Sequence, residues 1–419
     1  MRPHAPDQGR WARGATLRAL AALLCLGAAI LAVPPSHAAD ASDALDLAPT
    51  LGEFEDRFKR AVADERIPGA AWVVVHRGQV LGLGTYGHVD QRGTRPVDPS
   101  TVFRIASVSK GFAGTLAALL AHEGRIALEE PIAPYAPSFG YRGPGSERLT
   151  IQDVLGQRSG FVPNAYDNLI EAGRSRQEIY PRFSEIEPIC PPGACYSYQN
   201  SVFSLVEDVV EQATSVPYST LVRQRLFEPL GMQRASIGYD AFMAAENRAL
   251  PHLKTRTGWR QAAPRRTYYQ VSSAAGVNAS VVDMAQWAIA MLGHRPEVIP
   301  APVIRDVLTP RVRTVRELRN RHWRGALDDA HYGLGWRIYR IGDRELAIHS
   351  GWLAGYRAEI ALSHELDLGL VLLMNAESRA VGELDRAFWD AALAAASAPL
   401  PGESIGSTAS PTPPAQPAE

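Results

Sequence analysis

The chain has 419 residues, 46 % of them apolar and 21 % charged, with a formal net charge of −1. That length suits one large two-lobed domain or two ordinary ones, and the balance is that of a soluble globular enzyme. The arginines are scattered, with no basic stripe interleaved with aromatics, which argues against a nucleic-acid partner.

Residues 1–38 read as an export signal. Arg10, Arg13 and Arg18 lead a nearly unbroken apolar run from Leu17 to Val33. Pro34 and Pro35 end the run, and Ser36-His37-Ala38 sets small residues where a signal peptidase reads. The run is short for a spanning helix, which weighs against an uncleaved anchor. Cys25 lies inside it, after Leu24, so lipid attachment is not expected. Cleavage would place the protein in the periplasm or outside the cell with only Cys190 and Cys195. A small disulfide loop is expected there, with two buried thiols as the alternative. No His pair sits at ligand spacing near them, so neither a zinc site nor any cofactor is expected.

Residues 51–65 predict an amphipathic helix, with Leu51, Phe54, Phe58 and Val62 on one face. Ala70–Val75 and Gln79–Tyr86 predict a hairpin turning at His76-Arg77-Gly78. Gly111 to Ala121 is nearly all apolar and reads as a buried helix. From about 145 to 325 strand patterns are scarce. Thr150 and Asp153 make a capping box there, and Val202–Ala213 and Asp283–Leu292 have helical periodicity. Four strands are then predicted, at Leu334–Tyr339, Glu345–His349, Tyr356–Ser363 and Leu368–Asn375, before a closing helix over Ala380–Ala396. The fold class is therefore α/β (α+β), an antiparallel sheet flanked by helices with an inserted all-helical lobe. One domain covers residues 39–397. One lobe is built from about 50–144 and 326–397, the helical lobe from about 145–325, with a cleft between. The Pro/Ser/Ala-rich tail, 398–419, reads as disordered. A Gly-x-Ser-x-Gly pattern at Gly402 to Gly406 lies in that tail without a strand before it or a helix after it, and is set aside.

Lysine usage is sharply restricted. Only Lys59, Lys110 and Lys254 are lysines among 43 basic residues. A chain this biased towards arginine keeps lysine where a proton must be given up, because guanidinium stays charged. Lys110 lies three residues after Ser107, so the two side chains share one face of a helical first turn. The helix amino end adds N–H groups suited to a developing oxyanion. A Ser N-cap followed by a surface lysine is the plain alternative. Two Tyr-x-Asn triplets could supply a partner. Tyr198-Gln199-Asn200 stands between a Pro-Gly turn and a helix and is favoured. Tyr166-Asp167-Asn168 lies in a polar loop and reads as rim. His349-Ser350-Gly351 ends a predicted strand, where Gly351 permits close approach and the Trp352 N–H becomes a second oxyanion donor beside the Ser107 N–H.

The order Ser-x-x-Lys, Tyr-x-Asn, His-x-Gly resembles the class C β-lactamase family, which includes penicillin-binding DD-peptidases and lactamase-like esterases. The likeness extends over about residues 50–395. Val102 to Lys110, Leu226 to Met232, Tyr332 to Trp336, and Ala275 to Val277 with Asp283 to Trp287 are similar to family blocks. The resemblance implies Ser107 as acylated nucleophile and Lys110 with Tyr198 as proton relay. It also implies Asn200 on a substrate amide carbonyl and the Ser107 and Trp352 amides as oxyanion hole. The chain departs from the β-lactamase pattern where Lys-Thr-Gly is replaced by His349-Ser350-Gly351, and where Ala275 replaces a tyrosine. His349 is more like certain DD-peptidases and is expected to face the cleft and contact a substrate carboxylate. The expected function is a serine hydrolase acting on a β-lactam or D-alanyl peptide, small or peptidoglycan-derived. A carboxylesterase is the alternative, and a silent peptidoglycan-binding scaffold is the rival from another class.

Overall fold

The computed structural model describes residues 45–143 and 145–397; the predicted signal and tail lie outside them. Helix α1 (Ala48–Asp64) carries Phe54, Phe58 and Val62 on its buried face, as its periodicity requires. It leads into β1 (Gly69–His76) and β2 (Gln79–Gly87), joined through Arg77 and Gly78. Both turn residues have positive φ, 51° and 71°, the pairing a tight two-residue hairpin demands.

Helix α2 (Ser109–His122) follows a short 3₁₀ turn, Ala106–Val108. Further along, among other short helices, are α3 (Asp167–Glu171), α4 (Asn200–Phe203), α5 (Leu205–Thr214) and α6 (Val281–Ile289). The predicted helix over 202–213 is thus two, broken at Ser204, whose hydroxyl is drawn to the Ser201 carbonyl. The other strands of the main sheet are β3 (Val312–Arg313), β4 (Asp329–Tyr332), β5 (Arg337–Ile341), β6 (Arg344–Leu353), β7 (Tyr356–Ser363) and β8 (Leu368–Met374). Helix α7 (Ala380–Ser397) closes the described chain.

These strands form one eight-stranded sheet in the order β2-β1-β8-β7-β6-β5-β4-β3, every pair antiparallel. Alternate residues of β1 go to opposite sides. Trp72 and Val74 pack with Phe54 and Phe388 of α1 and α7; Ala71, Val73 and Val75 join α2 and α6. With both faces covered, the central strands read as continuous apolar runs, as in Leu368–Met374. On the α2 side, Phe112 stacks on Trp287 at 4.0 Å and meets Phe227 edge-on at 5.5 Å.

The inserted segment is not all-helical. It contributes Ser236–Ile237 and Val277–Ala279 to a small sheet with Phe103–Arg104, and a hairpin of His252–Thr255 with Gly258–Gln261. Strands of two to four residues are too short to show an alternation in sequence. Among the described residues no helix is long and apolar enough to cross a membrane.

Candidate active site

The chain leaves Phe103–Arg104 and turns sharply through Ala106, whose φ of 50° is left-handed and costs an alanine backbone energy. That turn sets Ser107 at the mouth of a cavity of about 970 Å³ walled by Tyr198, Asn200, Ala275, Ser350 and Trp352, among others. One turn on, Lys110 is fully buried, and its Nζ lies 3.4 Å from Ser107 Oγ. Nζ also donates to Asn200 Oδ1 at 2.7 Å and to the Ala274 carbonyl at 3.0 Å. Burial pushes the Lys110 ammonium below its ordinary range and the Arg337 guanidinium adds to this, while Tyr198 and Asp167 oppose both. A neutral amine so placed directs two N–H bonds to the two carbonyl oxygens and its lone pair to the serine hydroxyl.

Tyr198 covers the amine, its ring centroid 4.7 Å from Nζ, with Arg337 5.5 Å from the same ring. Its approach is fixed from behind. Cys190 and Cys195 are bridged, and Gln157 holds the next residues by accepting from the Gln199 N–H at 2.6 Å and donating to the Gln199 carbonyl at 3.3 Å.

Two glycines let the walls close. Strand β6 passes so near the nucleophile turn that a Cβ on Gly351 would stand 2.2 Å from the Ile105 carbonyl oxygen. Gly335, at φ 80°, would likewise meet the Lys110 carbonyl oxygen at 2.2 Å. The last β5–β6 pair is Arg337 with Ile348, so residues 349–353 have β7 on one side and, among the described residues, no strand on the other. That open edge runs beside Ser107.

His349 differs from its expectation. It does not line the cavity: the imidazole is fully buried, with Nε2 3.0 Å from the Tyr332 hydroxyl and Nδ1 3.0 Å from the Ser350 carbonyl. Burial, then Arg337 and Lys110, hold its pKa well below the ordinary value, so it stays neutral and offers a carboxylate no charge. Its neighbours Ser350 and Trp352 line the cavity instead, because alternate strand residues point to opposite faces.

Asn200 is also partly committed, since its Nδ2 donates to Asp167 Oδ2 at 2.8 Å. Desolvation pushes the Asp167 carboxyl up to about 6, against the pull of Asn200 and Lys110. Tyr166, the rival tyrosine, is turned away, its hydroxyl donating to the Arg182 carbonyl at 2.7 Å. Tyr198 is thus the tyrosine over Lys110, as favoured, and Asp167 of the other triplet reaches the site although the sequence did not single it out. The sequence reading also missed Arg337, which lines the cavity with its Nε 3.1 Å from Glu317 Oε1. The only signal for it was its place directly after the Tyr332 to Trp336 block.

The sequence model of the Beta-lactamase family matches residues 54–395, and the chain belongs to that family. An unguisins hydrolase of Aspergillus violaceofuscus is 23 % identical over 79 % of this chain and 62 % of its own length. Protein flp of Staphylococcus aureus is 24 % identical over 76 % of this chain and 61 % of its own. The chain thus spans about three fifths of these curated relatives. Among solved structures, the octameric penicillin-binding protein homologue from Pyrococcus abyssi superposes with TM-score 0.72 at 22 % identity, over 82 % of this chain and 77 % of that one. A class C β-lactamase from Rhodobacter sphaeroides gives 0.65 at 22 %, over 80 % and 97 %. The β-lactamase/transpeptidase-like fold follows.

Proposed function

We propose that this chain is an exported serine hydrolase that cleaves an amide or ester bond through an acyl-enzyme on Ser107. The observation that carries the reading is the buried Lys110 amine 3.4 Å from Ser107 Oγ, held by two carbonyl oxygens. In the first step Ser107 Oγ bonds to the substrate carbonyl carbon, its proton passes to Lys110 Nζ, and the carbonyl π pair moves onto oxygen. The Ser107 and Trp352 N–H groups meet that oxyanion. Collapse breaks the bond to the leaving group, which departs with a proton relayed from Lys110 through the Tyr198 hydroxyl. Water then attacks the acyl-enzyme, giving its proton to the same relay; collapse breaks the bond between the acyl carbon and Ser107 Oγ, the relay returns the proton to Oγ, and the acid leaves. The basic-apolar start of the chain and the bridged cysteines support export.

The leading substrate class is a D-alanyl peptide or β-lactam. A small ester is the second reading, favoured by the neutral burial of His349 and by Ala275, which widens the cavity. The test is intact-mass measurement after incubation with a fluorescent penicillin, a D-Ala-D-Ala peptide and a p-nitrophenyl ester. Adduct or turnover with at least one, lost in Ser107→Ala, is expected. No reaction with any of them, or an adduct that survives Ser107→Ala, overturns the proposal.

A further inference from the structure

Beyond the catalytic cavity lies a second one of about 530 Å³, sharing with it the walls Glu171, Tyr268 and Leu353. Its other charged lining groups are Arg104, Arg260 and Arg265. Arg104 is only 4 % exposed. Its Nη1 donates to the Arg265 carbonyl at 2.9 Å, and its guanidinium lies 3.9 Å from the Tyr269 ring centroid. Nε and Nη2 have no hydrogen-bond partner among the described residues, and none of the three arginines is paired with a carboxylate there. The single acid of the lining, Glu171, is engaged by the Tyr268 hydroxyl at 3.3 Å. Those two nitrogens are closed off from the cavity, so Arg104 acts there through its charge: a buried guanidinium without a counter-charge is costly, and an anion held beside it by the two exposed arginines offsets that cost.

A connected wall runs there from the cavity that Ser107 lines. Asn200 bonds Asp167, Glu171 stands one turn further along α3, and Tyr268 joins Glu171 at the border of the second cavity. The resemblance sets Asn200 on a substrate amide carbonyl, and an amide of the acyl chain placed there directs that chain along this wall.

We propose that the second cavity is a subsite for a carboxylate carried on the acyl side of the substrate, some distance from the scissile bond. The inference rests on the acyl-enzyme reading above and deepens it. The enzyme then selects an extended, acidic acyl donor over a neutral one of equal length. Both cavities have the size of small-molecule sites, and the planar fork of arginine suits carboxylate recognition.

The probes are p-nitrophenyl esters of ω-carboxy acids from succinyl to suberyl, each against its methyl-ended partner of equal length. At one chain length the carboxylate-ended ester is expected to show a kcat/KM at least about tenfold above its partner, a ratio that falls as salt is raised. The double charge reversal Arg260→Glu/Arg265→Glu, on two exposed side chains, should bring that ratio to about one or below. Arg60→Glu, on exposed α1 surface, makes the same kind of charge change elsewhere and should leave the ratio in place. A ratio near one at every length, or one untouched by the double reversal, overturns the subsite. Failure of the chemistry is separated by calorimetric titration of Ser107→Ala with suberamic acid and octanamide. If no ester turns over but the acid still binds about tenfold more tightly and the double reversal removes that difference, the subsite stands and the acyl-enzyme reading falls. Equal binding overturns the subsite by itself.

Discussion

Ser107 and Lys110 were legible in sequence because their meeting is local, fixed by three residues of helical spacing and by the scarcity of lysine. Lys110→Arg tests the role directly. It keeps the charge, but guanidinium neither yields its proton nor fits a fully buried site tied to Asn200 Oδ1 and the Ala274 carbonyl. Acylation should fall about 10²–10⁴-fold, the range for loss of a general base. Lys59→Arg and Lys254→Arg should stay near wild type, since Lys59 is a surface partner of Glu55 and Lys254 lies over the Trp259 ring. Circular dichroism of the Lys110→Arg protein separates lost chemistry from lost fold. A folded variant acylating within a few-fold of wild type would remove Lys110 from the mechanism. His349, by contrast, was misread because nothing local told which side of β6 it takes. Its folded pKa lies below the unfolded value of 6.5. The stability its burial supports is therefore present above pH 6.5 and is lost as pH falls from there towards the folded pKa. His349→Gln lacks that proton uptake on unfolding. Its melting temperature minus that of wild type should rise between pH 7.5 and 5.5, by the equivalent of about 1 kcal/mol. A constant difference across that window would mean that His349 is not held neutral.

At the scale of elements, long strands and amphipathic helices were read within a few residues of their observed ends, since burial on one or both faces writes itself into the periodicity. The short strands were not legible, because Phe103–Arg104 is extended only through pairing with Val277–Ala279, more than 170 residues away. Asp167 and Arg337 were missed for the same reason: each reaches the site through tertiary placement. The closeness of β6 to the nucleophile turn is also tertiary, and Gly351 is its requirement. Gly351→Ala should push the Trp352 N–H away from Ser107, as the added carbon cannot stand 2.2 Å from the Ile105 oxygen. The cost should be about 10²–10³ in kcat, the size of losing one oxyanion donor. Stopped-flow acylation with the best substrate reads this. An unchanged rate constant in a folded protein would show that the β6 edge does not supply the second donor.

Across the whole molecule, one sheet holds the site because both of its faces are buried. The α2 side fixes the Ser107 turn, and the α1/α7 side backs the strands. That backing layer contains an anomaly. Asp385 of α7 is fully buried, and neither of its oxygens, nor the Trp389 indole N–H one turn away, makes a hydrogen bond among the described residues. Burial raises its pKa well above the ordinary value and the nearby Glu359 carboxyl raises it further, while the Trp389 indole N–H, near it but in no well-formed hydrogen bond, and the Arg386 charge oppose both. The acid is therefore harder to ionise in the fold than in the unfolded chain. With the folded pKa raised, stability falls as pH climbs from about 4, where the unfolded carboxyl ionises, to the folded pKa. Asp385→Leu nearly conserves volume and removes both the unpaired oxygens and the ionisation. It should stabilise the protein by about 1–3 kcal/mol at neutral pH, the cost of an unsatisfied buried polar group. The gain should grow between pH 5 and pH 8, because only wild type pays the increasing cost of keeping that proton. Thermal melts of the two proteins across this range measure it, and Ser107 acylation should remain within a few-fold, as α7 touches no group of the relay. A leucine variant that melts below wild type throughout would mean that Asp385 is paired in the fold, and that this layer is as well satisfied as the one behind the nucleophile.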